Sequence, residues 1–382
     1  MVSVSLALST LIYEWRRYLA AIIALAFSGL LILAQVGLFA GIADAFTATI
    51  DRSRAEIMVM SPQSESLMGD GQGLPSRVEP MVYLNPAVVD VKPMDGDGAL
   101  WRNHPSPGQK MAHTFVQLFT VGTDAGAVDL PTDYTEATRV ALMEPYAVAI
   151  DQTALAQLGV KLGDQATLNG KTVHVRAVLH NYPNVAQATV FVSHDTMRLL
   201  GLGDRGDHVG PLLVRIADPA KAALVRDQLN AAARGLYRAW TRAELSKANQ
   251  TAVMSKNIVG VLMAFSVILG AGIGTGITWQ TLRGAIFANI KEFASLRALG
   301  VSMGALRLVV LELSFWVGVV GLGGAALFVW GVSILAGAAG LPMTFPPAMV
   351  GATAVLLILI AVGSGFLSLG VLKQSQPADL LR

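Results

Sequence analysis

The chain has 382 residues, 53% hydrophobic and 14% charged, with a formal net charge of +2 and a mean hydropathy of +0.54. Soluble domains carry about a quarter charged residues, so this balance argues for a membrane protein, and so small a net charge argues against a nucleic acid partner. The lack of cysteine excludes disulfides, thiolate chemistry and zinc–cysteine sites.

Residues 1–17 end in Arg16-Arg17 and are read as a cytoplasmic N-terminus. The run "YLAAIIALAFSGLLILAQVGLFAGIA" (18–43) follows. A spanning helix needs about 20 apolar residues, and this run far exceeds the roughly 7–15 of a cleaved signal. It is read as a retained first transmembrane helix.

Residues 44–256 read as a large extracytoplasmic α/β domain. "AEIMVMSP" and "ATVFVSHD" have the composition of short strands. "DQATLNGKTVHVRAVLHNYP" is a hairpin around Asn169-Gly170, the pair that favours a type I′ turn. In "DPAKAALVRDQLNAAAR", Asp218 and Pro219 signal a helix start. "AELSKANQTAVMSKNIVG" reads as a helix running straight into the next apolar run, and 61–111, rich in Gly, Pro and Asp, as loops over short strands.

Chemical motifs fail in this domain. "NGKT" (169–172) imitates a phosphate loop, but Gln165 stands where Gly is required and a strand follows instead of a helix. The six histidines show no metal-ligand spacing, and no GxSxG elbow is present.

The second span is 257–282. Within it "GAGIGTG" lacks the preceding strand of a nucleotide loop, and Gly272 with Gly276 forms a small-xxx-small pair suited to helix packing or a dimer contact. The segment 283–307 carries Arg283, Lys291, Arg297 and Arg307. There Ile290, Phe293, Leu296 and Leu299 recur every three residues, with Lys291, Glu292 and Ser295 on other faces, which predicts a short amphipathic helix. Gly300 then suits a C-cap and Ser302 an N-cap for the next helix. Spacing leaves two roles open: an interfacial helix in lipid, or a surface on which another protein docks. Spans 308–336 and 347–372 follow, joined by a loop (337–346) without lysine or arginine, and residues 373–382 end the chain. Glu312, in the third span, either reaches the headgroup region or serves a subunit contact. Lysine and arginine placement puts both termini and 283–307 in the cytoplasm.

"KEFASLRALGVSMGALRLVVLE" resembles the E-x-x-x-L-R-A-x-G segment of FtsX-like, MacB-type permeases of ATP-binding-cassette systems. "GVKLGDQATLNGKTVHVRAVL" is similar to the hairpin of their outer domains, the C-terminal "QPADLLR" to their proline-containing C-termini, and the N-terminal segment 16–62 is most similar to the DevC branch. The resemblance implies an α-helical membrane protein with four transmembrane helices and a MacB-type periplasmic α/β domain between helices 1 and 2, set in a bacterial inner membrane. It implies that the elbow is a coupling helix docked on a separate ATPase, with Glu292, Phe293, Leu296, Arg297, Leu299 and Gly300 as contacts. The chain lacks a Walker motif, so it is expected to be no enzyme and to bind no cofactor, with ATP and magnesium on two copies of the partner. A homodimer, a periplasmic adaptor and an outer-membrane channel complete the implied assembly for efflux. The alternatives are a Lol-type permease releasing lipoproteins or lipids and an FtsX-like scaffold activating a cell-wall hydrolase.

Overall fold

The computed structural model describes residues 6–64, 67, 73–105, 111–183, 187–203, 206–256, 258–288, 300–338 and 341–368. The chain divides into a membrane unit (1–41, 258–337 and 343–382) and an α/β unit (42–257 with 338–342).

In the membrane unit, α1 (Leu6–Tyr13) precedes the 37-residue α2 (Trp15–Asp51), which continues past residue 41 into the α/β unit. Among the described residues three helices are long and apolar enough to cross a membrane: α2, residues 303–337, and the segment Pro347–Ser368. Small residues set their spacing. Bulk added at Gly365 would strike the Ser314 side chain, and bulk at Gly29 would strike Ala325 and Leu357. Lipid offers no hydrophobic drive for helices to associate, so close backbone approach of this kind supplies the packing. Ser314 Oγ donates to the Val310 carbonyl at 2.8 Å and Ser364 Oγ to the Ile360 carbonyl at 2.7 Å, so these buried hydroxyls are satisfied within their own helices.

The α/β unit holds two main sheets and a two-stranded antiparallel ribbon of β2 and β10. Strands β1 (Ile57–Met60), β2 (Leu74–Pro75) and β3 (Val88–Pro93) flank α3 (Val78–Val82). Further on come β4 (Gly96–Asn103), β5 (His113–Val121), α4 (Glu136–Ala141), β6 (Ala147–Asp151) and α5 (Gln152–Leu158). The hairpin β7 (Gln165–Leu168) and β8 (Lys171–Leu179) leads to β9 (Ala188–Ser193), α6 (His194–Leu200), β10 (His208–Val209) and β11 (Leu212–Ile216). The unit closes with α7 (Ala222–Ala232), β12 (Arg238–Thr241) and α8 (Arg242–Lys256).

One sheet is antiparallel and ordered β12-β1-β11-β3; the other is a closed six-stranded barrel, β4-β5-β9-β6-β8-β7. Alternation sorts the side chains of the barrel. Trp101, Val116, Leu118, Val148, Ile150, Val175 and Val190 fill one core, whereas Phe119, Val121, Ala149, Ala177 and Phe191 belong to another. Met58, Met60 and Leu213 of the open sheet join that second core, so it lies between sheet and barrel. On the far face of the sheet Ile57, Val59, Leu212 and Val214 pack with Val225 and Leu229 of α7.

The open sheet has two edges, and a side chain blunts each. Asn230 of α7 exchanges two hydrogen bonds with the Ala239 backbone of β12, at 2.9 and 2.7 Å. At β3, the Tyr83 hydroxyl accepts from the Val91 N–H at 2.9 Å. Side chains thus stand in for a further strand at positions where an unpaired edge invites association.

The sequence readings meet the structure as follows. Asn169 and Gly170 both take positive φ, 45° and 85°, as the type I′ hairpin requires. The Asp218 carboxylate accepts from the Ala220 N–H, but Pro219–Lys221 forms a 3-10 turn and α7 begins only at Ala222. The stretch 61–111, read as loops over short strands, in fact supplies the six-residue β3 and the eight-residue β4. Glycine misled that reading: Gly96 and Gly98 lie inside β4, where the rings of Phe119 and Phe115 occupy the space a side chain would need. The expected continuous helix into the second apolar run is described as α8, ending at Lys256, and α9 (Ile258–Ala288); Asn257 lies outside the described residues.

Candidate functional site

Two regions bear on function: the elbow between the apolar helices, and the place where the chain enters and leaves the α/β unit.

Glu292, Phe293, Leu296, Arg297 and Leu299 lie outside the described residues. Description resumes at Gly300, whose φ of 92° is left-handed, the conformation a glycine C-cap uses. Ser302 then caps α10 (Met303–Ala338), its Oγ accepting the Ala305 N–H at 3.2 Å. A left-handed glycine followed by a capped helix start is therefore present at 300–303. Glu312, within α10, is half-buried.

Gly272 and Gly276 of α9 are exposed, and a Cβ built there would meet nothing within 4 Å among the described residues. A neighbouring face does the packing within this chain. Gly270 lies against Leu31 and Ile32 of α2, and Gly274 against Ser28. Leu282 further along is fully buried, in a core shared with Leu357 and Ile360 of α11 (Pro347–Ser368). Several small-xxx-small registers coexist in "GAGIGTG", and spacing alone does not say which one faces α2.

The junction in the α/β unit was not read from sequence. The end of α2 carries carbonyls with no helical partner, and distant segments take them up. The Arg52 carbonyl accepts from the Thr132 N–H at 2.8 Å and from its hydroxyl at 3.1 Å. The Arg52 guanidinium, at a helix C-terminus where positive charge is favoured, lies 3.3 Å from Asp133 Oδ2 and over the Tyr182 ring. Tyr182 donates its hydroxyl to Asp133 Oδ1 at 2.7 Å, and its N–H donates to Asp151 Oδ2 at 2.9 Å. Burial raises the Tyr182 phenol far above its ordinary pKa, and the bond to Asp133 adds to this, so it stays a donor at any physiological pH.

The outgoing segment is fastened to the same place. Arg242, first residue of α8, donates to the Ser53 carbonyl at 2.8 Å, and its N–H donates to the Glu56 carbonyl at 3.0 Å. Two turns further on, Asn249 donates to the Phe46 carbonyl of α2 at 2.9 Å. Ala48 and Ile50 of α2 and Leu245 of α8 are buried in the core between sheet and barrel. Incoming and outgoing helices thus form one clamped pair rooted in that core. Chemically the junction offers no nucleophile–base pairing; mechanically it binds both chain crossings to both sheets. Among the described residues no cluster of His, Asp or Glu could hold a metal ion.

Residues 18–232 match the MacB-like periplasmic core domain, and residues 262–377 match the FtsX-like permease C-terminal domain. The chain belongs to the FtsX/MacB-type permeases. Permeases of this family are the transmembrane components of ATP-binding-cassette transporters and work with ATPase partners. Two solved structures are similar to about half of the chain. The periplasmic region of MacB from Actinobacillus actinomycetemcomitans shares 13% identity at a TM-score of 0.34, covering 52% of this chain and 94% of that one. The extracellular domain of the ABC-type transporter YknZ from Gram-positive bacteria shares 15% identity at a TM-score of 0.32, covering 48% and 99%. No curated protein matches the chain.

Proposed function

We propose that this permease transmits motion from a separate ATPase, docked at the 283–307 elbow, to the α/β unit, which acts outside the cytoplasm to drive efflux. The observation that carries this reading is the junction: α2 and α8 are hydrogen-bonded to each other and share one core with sheet and barrel. A displacement of either helix therefore reaches both sheets without passing through a flexible linker. Four membrane helices serve this role: α2, α9, α10 and α11, with both termini in the cytoplasm of an inner membrane. Two copies of the chain pair with two ATPase subunits, and the open Gly272–Gly276 face of α9 supports contact with the second copy. In the tripartite, DevC-like form of this reading, a periplasmic adaptor and an outer-membrane channel receive the motion.

The test replaces Glu292 and Arg297 together with alanine in the full chain. The expected result is loss of ATPase co-purification and of transport, with the permease still folded in membranes. Undiminished co-purification and transport would remove the elbow from the mechanism. ATP turnover by the purified chain alone would overturn the subunit assignment.

A further inference from the structure

At the β12 edge of the open sheet, α7, β12 and α8 enclose a cleft of about 480 Å³. Pockets that hold small ligands measure roughly 300–1,000 Å³, so the size suits a small organic ion. Its polar groups are unevenly committed. Asn230 is fully engaged with the Ala239 backbone. Glu244 is engaged as well: it takes the Thr241 N–H at 3.1 Å while its own N–H bonds Thr241 Oγ1 at 3.3 Å, a capping box for α8. Its other oxygen bonds Arg226 Nη1. The cleft has no further carboxylate in its lining.

Donors, by contrast, are left over. Arg238 and Lys247 line the cleft, both exposed and neither in an ion pair with a described carboxylate. The Arg238 guanidinium lies 3.8 Å from the centre of the Trp240 ring, which fixes its position. Trp240 itself packs against the core between sheet and barrel, and Arg226 is already paired with both Glu244 and Asp227, its Nε 2.9 Å from Asp227 Oδ1. Two cations that carry no described carboxylate, one of them held in place by a ring, leave the open side of the cleft short of negative charge and acceptor oxygens. Ala239, Ala248 and Ala252 add an apolar wall.

We propose that this cleft is a binding site for a phosphate ester, whose oxygens meet Arg238 and Lys247 while its organic part lies on the alanine wall. A phosphate supplies several acceptors and a charge that one carboxylate cannot match. Two sources share this chemistry. Ala252 stands six residues before Ile258, where the apolar α9 begins, which suits a phospholipid headgroup; a soluble phosphate ester is the other. The proposal goes beyond the coupling role and is independent of it.

The experiment uses the full chain with two variants, R238Q/K247Q and Trp240→Leu; the second removes the ring that positions Arg238. Calorimetric titration with glycerol 3-phosphate in detergent probes the soluble source. Native mass spectrometry of chain transferred from phosphatidylglycerol or phosphatidylcholine nanodiscs probes the lipid source. Glycerol phosphate binding that weakens about tenfold or more in R238Q/K247Q, and severalfold in Trp240→Leu, establishes a soluble ligand. Retention of phosphatidylglycerol over phosphatidylcholine, lost in the same variants, establishes a headgroup. No binding in either arm, or binding that both variants leave unchanged, overturns the proposal.

Discussion

The two units of this permease use the same apolar residues in opposite ways. In the α/β unit, large side chains fill closed cores, and Trp101 and Phe191 are among the biggest fully buried groups. In the membrane unit many large side chains, among them Ile268, Leu327 and Trp330, point outward, and small residues such as Gly29, Gly274 and Gly365 hold the contacts. Solvent explains the difference. Water drives bulk inward in one unit, whereas lipid is as apolar as leucine and rewards only closeness in the other. Removing bulk should therefore damage the α/β unit, and adding bulk should damage the membrane unit.

The largest effect is expected from Trp101→Ala, which empties the barrel core and removes the indole bond to the Leu158 carbonyl. A loss of about 3–5 kcal/mol is expected, read as reduced amide-exchange protection across β4–β9 in the full chain. Retained protection would mean that the barrel is not an independent core. Next, Gly365→Leu drives a side chain into Ser314 and should cost about 1–3 kcal/mol, seen as a lowered melting temperature in detergent. Gly272→Leu is its counterpart: that position is open in the single chain, so thermal stability should hold while any dimer seen by cross-linking is lost. A matching drop in melting temperature would place Gly272 in an intrachain contact.

Asn230→Ala sharpens the comparison at a sheet edge, where it strands both Ala239 backbone groups. A loss of about 1–2 kcal/mol is expected, with concentration-dependent association through β12; a fully monodisperse, equally stable variant would show that another group already closes that edge. The smallest effect concerns acid. The hydrogen bond from Arg176 holds the Glu144 carboxyl below its ordinary value. A carboxylate with a lowered folded pKa adds stability above the unfolded value, near pH 4, and loses it as pH falls through the folded one. Acid titration of Glu144→Gln should accordingly lack part of the barrel's destabilisation below about pH 4; identical acid curves for both chains would dismiss the pair.

Much was legible locally. The apolar runs, the hairpin at Asn169-Gly170 and the Ser302 cap each rest on residues near one another in sequence, so composition and spacing suffice. Strand β4 was obscured because its glycines signal turns until aromatic partners from β5 are known to cover them. The junction was invisible for a different reason. Arg52 meets Thr132 across 80 positions, and Arg242 meets Ser53 across 189.

What the amino-acid order determined by itself is a membrane-borne chain with a large α/β insertion, an Asn-Gly hairpin and a serine-capped apolar helix. Those features follow from hydropathy, caps and turns, all of them short-range. Tertiary structure alone decided that α2 and α8 are clamped into one core, that Gly274 rather than Gly272 packs against α2, and that a donor-rich cleft opens beside β12. Each depends on which distant groups satisfy a buried carbonyl, fill a gap or leave a cation without a carboxylate. Local pattern cannot encode those partners; only the folded chain brings them within reach.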